Sequence, residues 1–175
     1  MPIRRIVKYG DPVLEKATAR VGGITDEIRE LVKDMIETMY AAPGVGLAAN
    51  QVGVPLRLAV IDISVGEDPD ALIVLINPEV IGSSGKQIDE EGCLSIPGYT
   101  EFVQRPEKAI VRAVNLDGKE FTVEGEGFLA RALCHETDHL DGKLYVHRLS
   151  GIKRSLLTKR IRKASAAGEW EEVYP

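Results

Sequence analysis

The string His135-Glu136-Thr137-Asp138-His139 lies inside an apolar rhythm that dictates its local structure. Phe128, Leu129, Ala132, Leu133 and Leu140 recur at helical spacing from Gly127 onward, and Gly142 supplies the stop. On a helix, two imidazoles four residues apart become neighbours on one face and can share a cation, with Glu136 projecting beside it. A divalent metal with three protein ligands and one open position lowers the pKa of its bound water to about 7, and Glu136 can take that water's proton. The plainer alternative is an ordinary helix surface, and a third ligand is what separates the two readings.

Downstream candidates are poor. The metzincin pattern accepts Gly142 but wants its third histidine where Tyr145 stands, and His147 comes two residues too late. Glu169, Glu171 and Glu172 belong to an acidic C-terminal tail, where a solvated role is expected. Upstream, Cys93 is better placed, in the Gly- and Pro-bearing stretch Glu90-Glu91-Gly92-Cys93-Leu94-Ser95-Ile96-Pro97-Gly98, which reads as irregular backbone. A thiolate with two imidazoles suits zinc or ferrous iron, although a lone cysteine is also commonly a small buried hydrophobe. Cys134 receives that second reading, since on a helix it points about 100° away from His135. Oxidation could still link it to Cys93 where the helix turn allows.

Around this helix the chain reads as one domain over residues 1–175. It has the size and apolar content for a sizeable core, and no repeat, linker or low-complexity tract. An amphipathic helix is expected over Thr25 to Tyr40, with Thr25 as N-cap and a stop at Ala42-Pro43-Gly44. Short β-rich runs at Leu56 to Ile63, Leu72 to Ile76, Ala109 to Val114 and Phe121 to Val123 predict a mostly antiparallel sheet. A last helix is predicted from Gly151 to Ala167, capped by Ser150 and ended by Gly168. No apolar run reaches the length of a membrane span and no signal core opens the chain, so a cytosolic protein without a targeting segment is expected. Two cysteines make no disulfide framework. The absence of an obvious apolar association surface favours a monomer.

Gly44-Val45-Gly46-Leu47-Ala48-Ala49-Asn50-Gln51 formally matches a dinucleotide fingerprint, and Asp62 follows at about the right distance. Its context is reversed, because a long helix precedes the glycines where a strand is required. A glycine-lined backbone that hydrogen-bonds an extended substrate, followed by the Gln51 amide as oxyanion donor, accounts for the residues better.

Taken together, Gly44 to Gln51, Glu91-Gly-Cys-Leu-Ser95 and His135-Glu-Thr-Asp-His-Leu140 resemble, in order and separation, the three signature motifs of the peptide deformylases. The likeness extends through Val7-Lys-Tyr-Gly-Asp-Pro-Val-Leu14 and the first helix, so it covers nearly the whole chain. Cys134, where the family usually has Gln, and the basic terminal helix with its acidic tail are departures. The resemblance implies an α+β fold with antiparallel sheets around the HExxH helix. It implies removal of the formyl group from the initiator methionine of nascent chains, with ferrous iron as the usual metal and zinc, nickel or cobalt able to replace it. It further implies Cys93, His135 and His139 as ligands, Glu136 as general acid and base, and Gln51 with the Leu94 backbone N–H as oxyanion donors. Val45 and Gly46 would touch the substrate. Helical spacing brings Phe128, Arg131 and Ala132 to the face of His135, so they are expected to border the methionine pocket. Arg131 would lay its stem along that pocket and keep its charge in solvent.

The negative net charge argues against general nucleic-acid binding, yet residues 150–168 carry six basic side chains and no acidic one. Lys153, Arg154, Lys159, Arg160, Arg162 and Lys163 form either a solvated face or a patch for ribosomal RNA, which the resemblance favours. Ile152, Leu156, Leu157 and Ile161 are then available to dock this helix on the body. Two other functions remain open on the residues alone. A zinc endopeptidase needs a downstream ligand that the sequence does not convincingly supply. An RNA-associated protein with a structural metal needs a fourth protein ligand and has no use for Glu136.

Overall fold

The computed structural model describes residues 3–168 and Trp170, and its architecture follows from one short strand without polar side chains. Strand β2, Leu58–Ile61, is buried on both faces. Leu58 and Val60 point into a cluster with Leu31, Val32, Met35 and Met39 of helix α1, Asp26–Ala41. Ala59 and Ile61 point the other way, Ala59 to Leu140 and Ile61 to Ala132 and Leu133, all of helix α2, Phe128–Leu140. The five-stranded sheet is thus held between two helices, and the HExxH helix lies in the interior.

That sheet runs in the order β1-β2-β3-β6-β7, every neighbouring pair antiparallel. Its other strands are β1, Gly46–Ala48, β3, Ile73–Ser84, β6, Lys108–Val114, and β7, Glu120–Glu126. Strand β3 is longer than its apolar run suggests, because Asn77-Pro78 is absorbed as an irregularity in the pairing with β6. Asn77 takes a positive φ of 53° and secures itself to both the N–H and the C=O of Val21.

A second, two-stranded sheet was not foreseen. Strands β4, Gln87–Cys93, and β5, Ile96–Arg105, form a hairpin where irregular backbone was expected around Cys93. Its hydrophobic alternation is mixed: Ile88 is 68% exposed and Phe102 56%, whereas Glu91 and Arg105 are buried beside Ile96 and Val103. Charged residues share the interior face with apolar ones here, so the usual strand signal is blurred.

Helix ends follow the capping chemistry. Thr25 accepts from the Ile28 N–H, and Ser150 from the Lys153 N–H at the start of α3, Gly151–Ala166. Gly142 has φ 78°, and a Cβ there would lie 2.8 Å from the Lys16 backbone, so the turn after α2 requires glycine twice over. On α3 only Leu157 and Ile161 dock on the body. Ile152 and Leu156, expected to join them, are exposed, because a helix set on the surface buries only one stripe. The acidic tail at Glu169, Glu171 and Glu172 lies outside the described residues. Among the described residues, no helix is long and apolar enough to cross a membrane.

Candidate active site

Helix α2 sets His135 and His139 one turn apart with their Nε2 atoms 3.1 Å from each other. At the end of β4, Cys93 brings its Sγ to 3.2 Å from His139 Nε2, and the ligand atoms of all three residues lie within 4.8 Å of one another. Donors about 2.0–2.3 Å from one tetrahedral ion are themselves roughly 3.3–3.7 Å apart, so the cluster suits a shared cation with little adjustment. One thiolate and two imidazoles are a donor set for zinc or ferrous iron. Burial and the neighbouring His135 push the pKa of His139 well down, which keeps its imidazole in the ligating form.

The hairpin also supplies the group that orients His135. Glu91 precedes Cys93 by two residues on the same strand face, and its Oε2 lies 2.6 Å from His135 Nδ1. The carboxylate further accepts from Arg105 Nε at 3.1 Å and Nη2 at 2.6 Å, and from Arg131 Nη1 at 2.8 Å. Burial opposes charge on Glu91, but hydrogen bonds from His135 and Arg105 outweigh it and hold the carboxyl well below its usual range. An ionised Glu91 favours the proton of His135 on Nδ1, the arrangement in which Nε2 would be the atom turned to a ligand. Asp138 completes the network, accepting from Arg105 at 2.6 Å and from Arg148 at 2.7 and 2.9 Å.

Glu136 is buried, and desolvation raises its pKa to about 7, the neighbouring His135 pulling the other way. Its Oε2 lies 4.0 Å from His135 Nε2, and Oε1 has no hydrogen-bond partner among the described residues. Gly46 is what admits this carboxylate, since a Cβ at that position would approach its Cδ to 2.8 Å. Gln51 is fixed at both ends. Its Oε1 accepts from the Ala48 N–H at 3.0 Å, which turns the amide nitrogen toward Ser95 Oγ at 3.1 Å and Cys93 Sγ at 3.5 Å.

A cavity of about 660 Å³ opens over these groups. Val45, Gly46, Gln51, Cys93, Leu94, Phe128, Arg131, Ala132, His135 and Glu136 all line it, and His139 lies fully buried behind. Arg131 departs from expectation. Its stem borders the cavity, but the guanidinium points inward to Glu91, Gln87 and the Val103 carbonyl, not into solvent. A buried carboxylate outcompetes water for that charge.

The other motifs resolve structurally. Asp62 organises a turn through Ser64, Gly66 and the Tyr40 hydroxyl. His147 accepts from the Leu144 N–H through Nδ1. Cys134 is buried, with its thiol pKa raised by desolvation, and lines a separate cavity with Thr137, Asp138 and Asp141 on another face of α2. The expected oxidative link to Cys93 is therefore not favoured by the geometry. Glu91, Arg105, Asp138 and Asn50, whose Nδ2 donates to the His139 carbonyl at 2.6 Å, were missed by sequence reasoning. Glu91 alone had a signal, its two-residue offset from Cys93.

An α+β chain that wraps antiparallel strands around its HExxH helix and draws a third donor from an upstream hairpin is a single-domain hydrolase with a Cys/His/His centre. Within that class the family is plain. The chain belongs to the polypeptide deformylase family, which it matches over residues 3–155. It is 55% identical to a peptide deformylase of Acidobacterium capsulatum across 97% of this chain and all of that one. Its fold superposes on a peptide deformylase from Legionella pneumophila with a TM-score of 0.88 and 44% identity, covering 95% and 98% of the two chains. A peptide deformylase from Ehrlichia chaffeensis solved in complex with actinonin gives 0.84 and 36%, covering 93% and 98%.

Proposed function

We propose that this protein removes the formyl group from the N-terminal methionine of nascent polypeptides, releasing formate, in the cytoplasm and as a monomer. The observation that carries the reading is the convergence of Cys93, His135, His139, Glu136 and the Gln51 amide on one cavity. Cys93, His135 and His139 would hold a divalent ion, ferrous iron by family resemblance, with zinc, nickel or cobalt as substitutes. Such an ion supplies Lewis acidity and a water acidic enough to be deprotonated near neutral pH.

The protein's own groups account for the remaining chemistry. Strand β1 is a sheet edge beside the cavity, so Val45 and Gly46 offer backbone on which an extended peptide can pair. Phe128, the Arg131 stem and Ala132 then border the methionine side chain. Because Glu91 neutralises the Arg131 guanidinium, that wall presents methylenes to an apolar ligand. Glu136 takes a proton from water and returns it to the departing amine, a task suited to a carboxyl tuned near 7. The Gln51 amide and the Leu94 N–H stabilise the developing oxyanion.

The test is anaerobic loading with iron followed by an assay of amine release from formyl-Met peptides, beside Glu136→Ala and Cys93→Ala. Turnover in the parent and its loss in both variants is expected. Retained activity in Glu136→Ala would falsify the mechanism.

The same reading extends to α3. All six basic side chains Lys153, Arg154, Lys159, Arg160, Arg162 and Lys163 are exposed, beside uncovered Ile152 and Leu156, which suits contact with ribosomal RNA.

A further inference from the structure

The β4–β5 ladder skips a step beside the site. Gly92 pairs with Thr100, but the next residue, Cys93, pairs with Ile96, so Pro97, Gly98 and Tyr99 bulge out with no partner residue in β4. Gly98 adopts φ 86°, which accommodates the bulge. These three residues line the cavity directly after Cys93 and Leu94. A wall without ladder bonds has to be held from elsewhere.

It is held by the C-terminal segment. The Trp170 indole N–H donates to the Pro97 carbonyl at 2.9 Å, and its ring packs against the buried cluster that includes Leu14, Ile96, Tyr145, Leu157 and Ile161. The Lys8 ammonium stands 5.6 Å from the indole centroid. The Arg160 guanidinium of α3 lies 5.3 Å from the centre of the Tyr99 ring, and the Tyr145 hydroxyl donates to the Tyr99 carbonyl at 3.3 Å. Trp170 and Arg160 both lie beyond residue 155, where the family match ends.

We propose that Trp170 is a positioning residue, fixing the Pro97–Tyr99 wall and thereby setting how tightly the peptide is held, while the chemistry on α2 proceeds independently. This inference rests on the deformylase reading for its substrate. Losing one hydrogen bond and its packing from a binding wall weakens binding by roughly two- to tenfold. Trp170→Ala in the full iron-loaded chain is expected to raise KM for formyl-Met-Ala-Ser by that factor at unchanged kcat. Trp170→Phe keeps a smaller aromatic ring and loses the N–H, so it should fall between. A simple loss of folded protein would lower kcat at constant KM, and that outcome, or an unchanged KM, overturns the proposal.

Hydrogen exchange provides a readout independent of turnover. Trp170→Ala should speed exchange in the peptide spanning 96–100 and leave α2 unaffected. Unchanged exchange there refutes the proposal even in an active enzyme. Absence of turnover in the parent refutes the deformylase reading instead, and the exchange measurement then decides the role of Trp170 by itself.

Discussion

Replacing Glu91 by Gln keeps the shape of the buried network and removes the charge on which it centres. Glu91 is 7% exposed and serves Arg105, Arg131 and His135 at once. Removing one member of a buried ion pair costs about 3–5 kcal/mol, because the charge left behind is desolvated without compensation. The lower figure applies here. Arg105 keeps its 2.6 Å contact with Asp138, and Arg131 keeps the Val103 carbonyl at 3.0 Å. In a chain of this size each kcal/mol moves Tm by about 2–4 °C, so Glu91→Gln should melt about 6–12 °C below the parent at pH 7. Divalent metal affinity should fall about 10- to 100-fold, since a neutral amide holds the His135 Nδ1 proton less firmly than the carboxylate does and makes the imidazole a poorer donor. The pH dependence has a definite sign. A carboxyl whose folded pKa is depressed stabilises the protein above its unfolded value, near about 4.3, and that contribution fades as pH falls below it. The gap in Tm should therefore be full at pH 7 and narrow below about pH 4. Calorimetric melts at both pH values, with metal titration at pH 7, provide the measurement. A variant melting within about 2 °C of the parent at pH 7 would show that the network contributes no net stability and that the reasoning is wrong.

Two further outcomes are expected. Gly46→Ala places a methyl against the Glu136 carboxylate and should lower kcat/KM by about 100-fold or more with an unchanged circular dichroism spectrum, whereas near-parental activity would mean that Glu136 has room to move. Charge reversal at Lys159 and Lys163 should weaken salt-sensitive cosedimentation with ribosomes and leave peptide turnover intact, and binding unaffected by either the reversal or salt would assign α3 to solvent.

Sequence periodicity revealed the helices because each buries an apolar stripe, while Cys93, His135, His139 and Glu136 were singled out by residue type and motif, and the fold brings them together. The β4–β5 hairpin was hidden for the opposite reason. Its inner face mixes Glu91 and Arg105 with Val103 and its outer face carries Ile88 and Phe102, so a reading that equates apolar with buried misplaces it. Arg131 was located on the pocket but misjudged in direction, since only the tertiary fold shows a carboxylate waiting behind it. Asn50 gave no signal at all, because a buried side chain that holds a carbonyl 89 residues away leaves no trace in local spacing.

The contacts that build the site join segments far apart along the chain. Gln51 meets Cys93 across 42 residues, and Cys93 meets His139 across 46. Such long loops close late in folding, after the entropy of the intervening chain has been overcome. During its own synthesis this protein therefore has no part of the reaction to offer until α2 has been made and has joined the earlier strands.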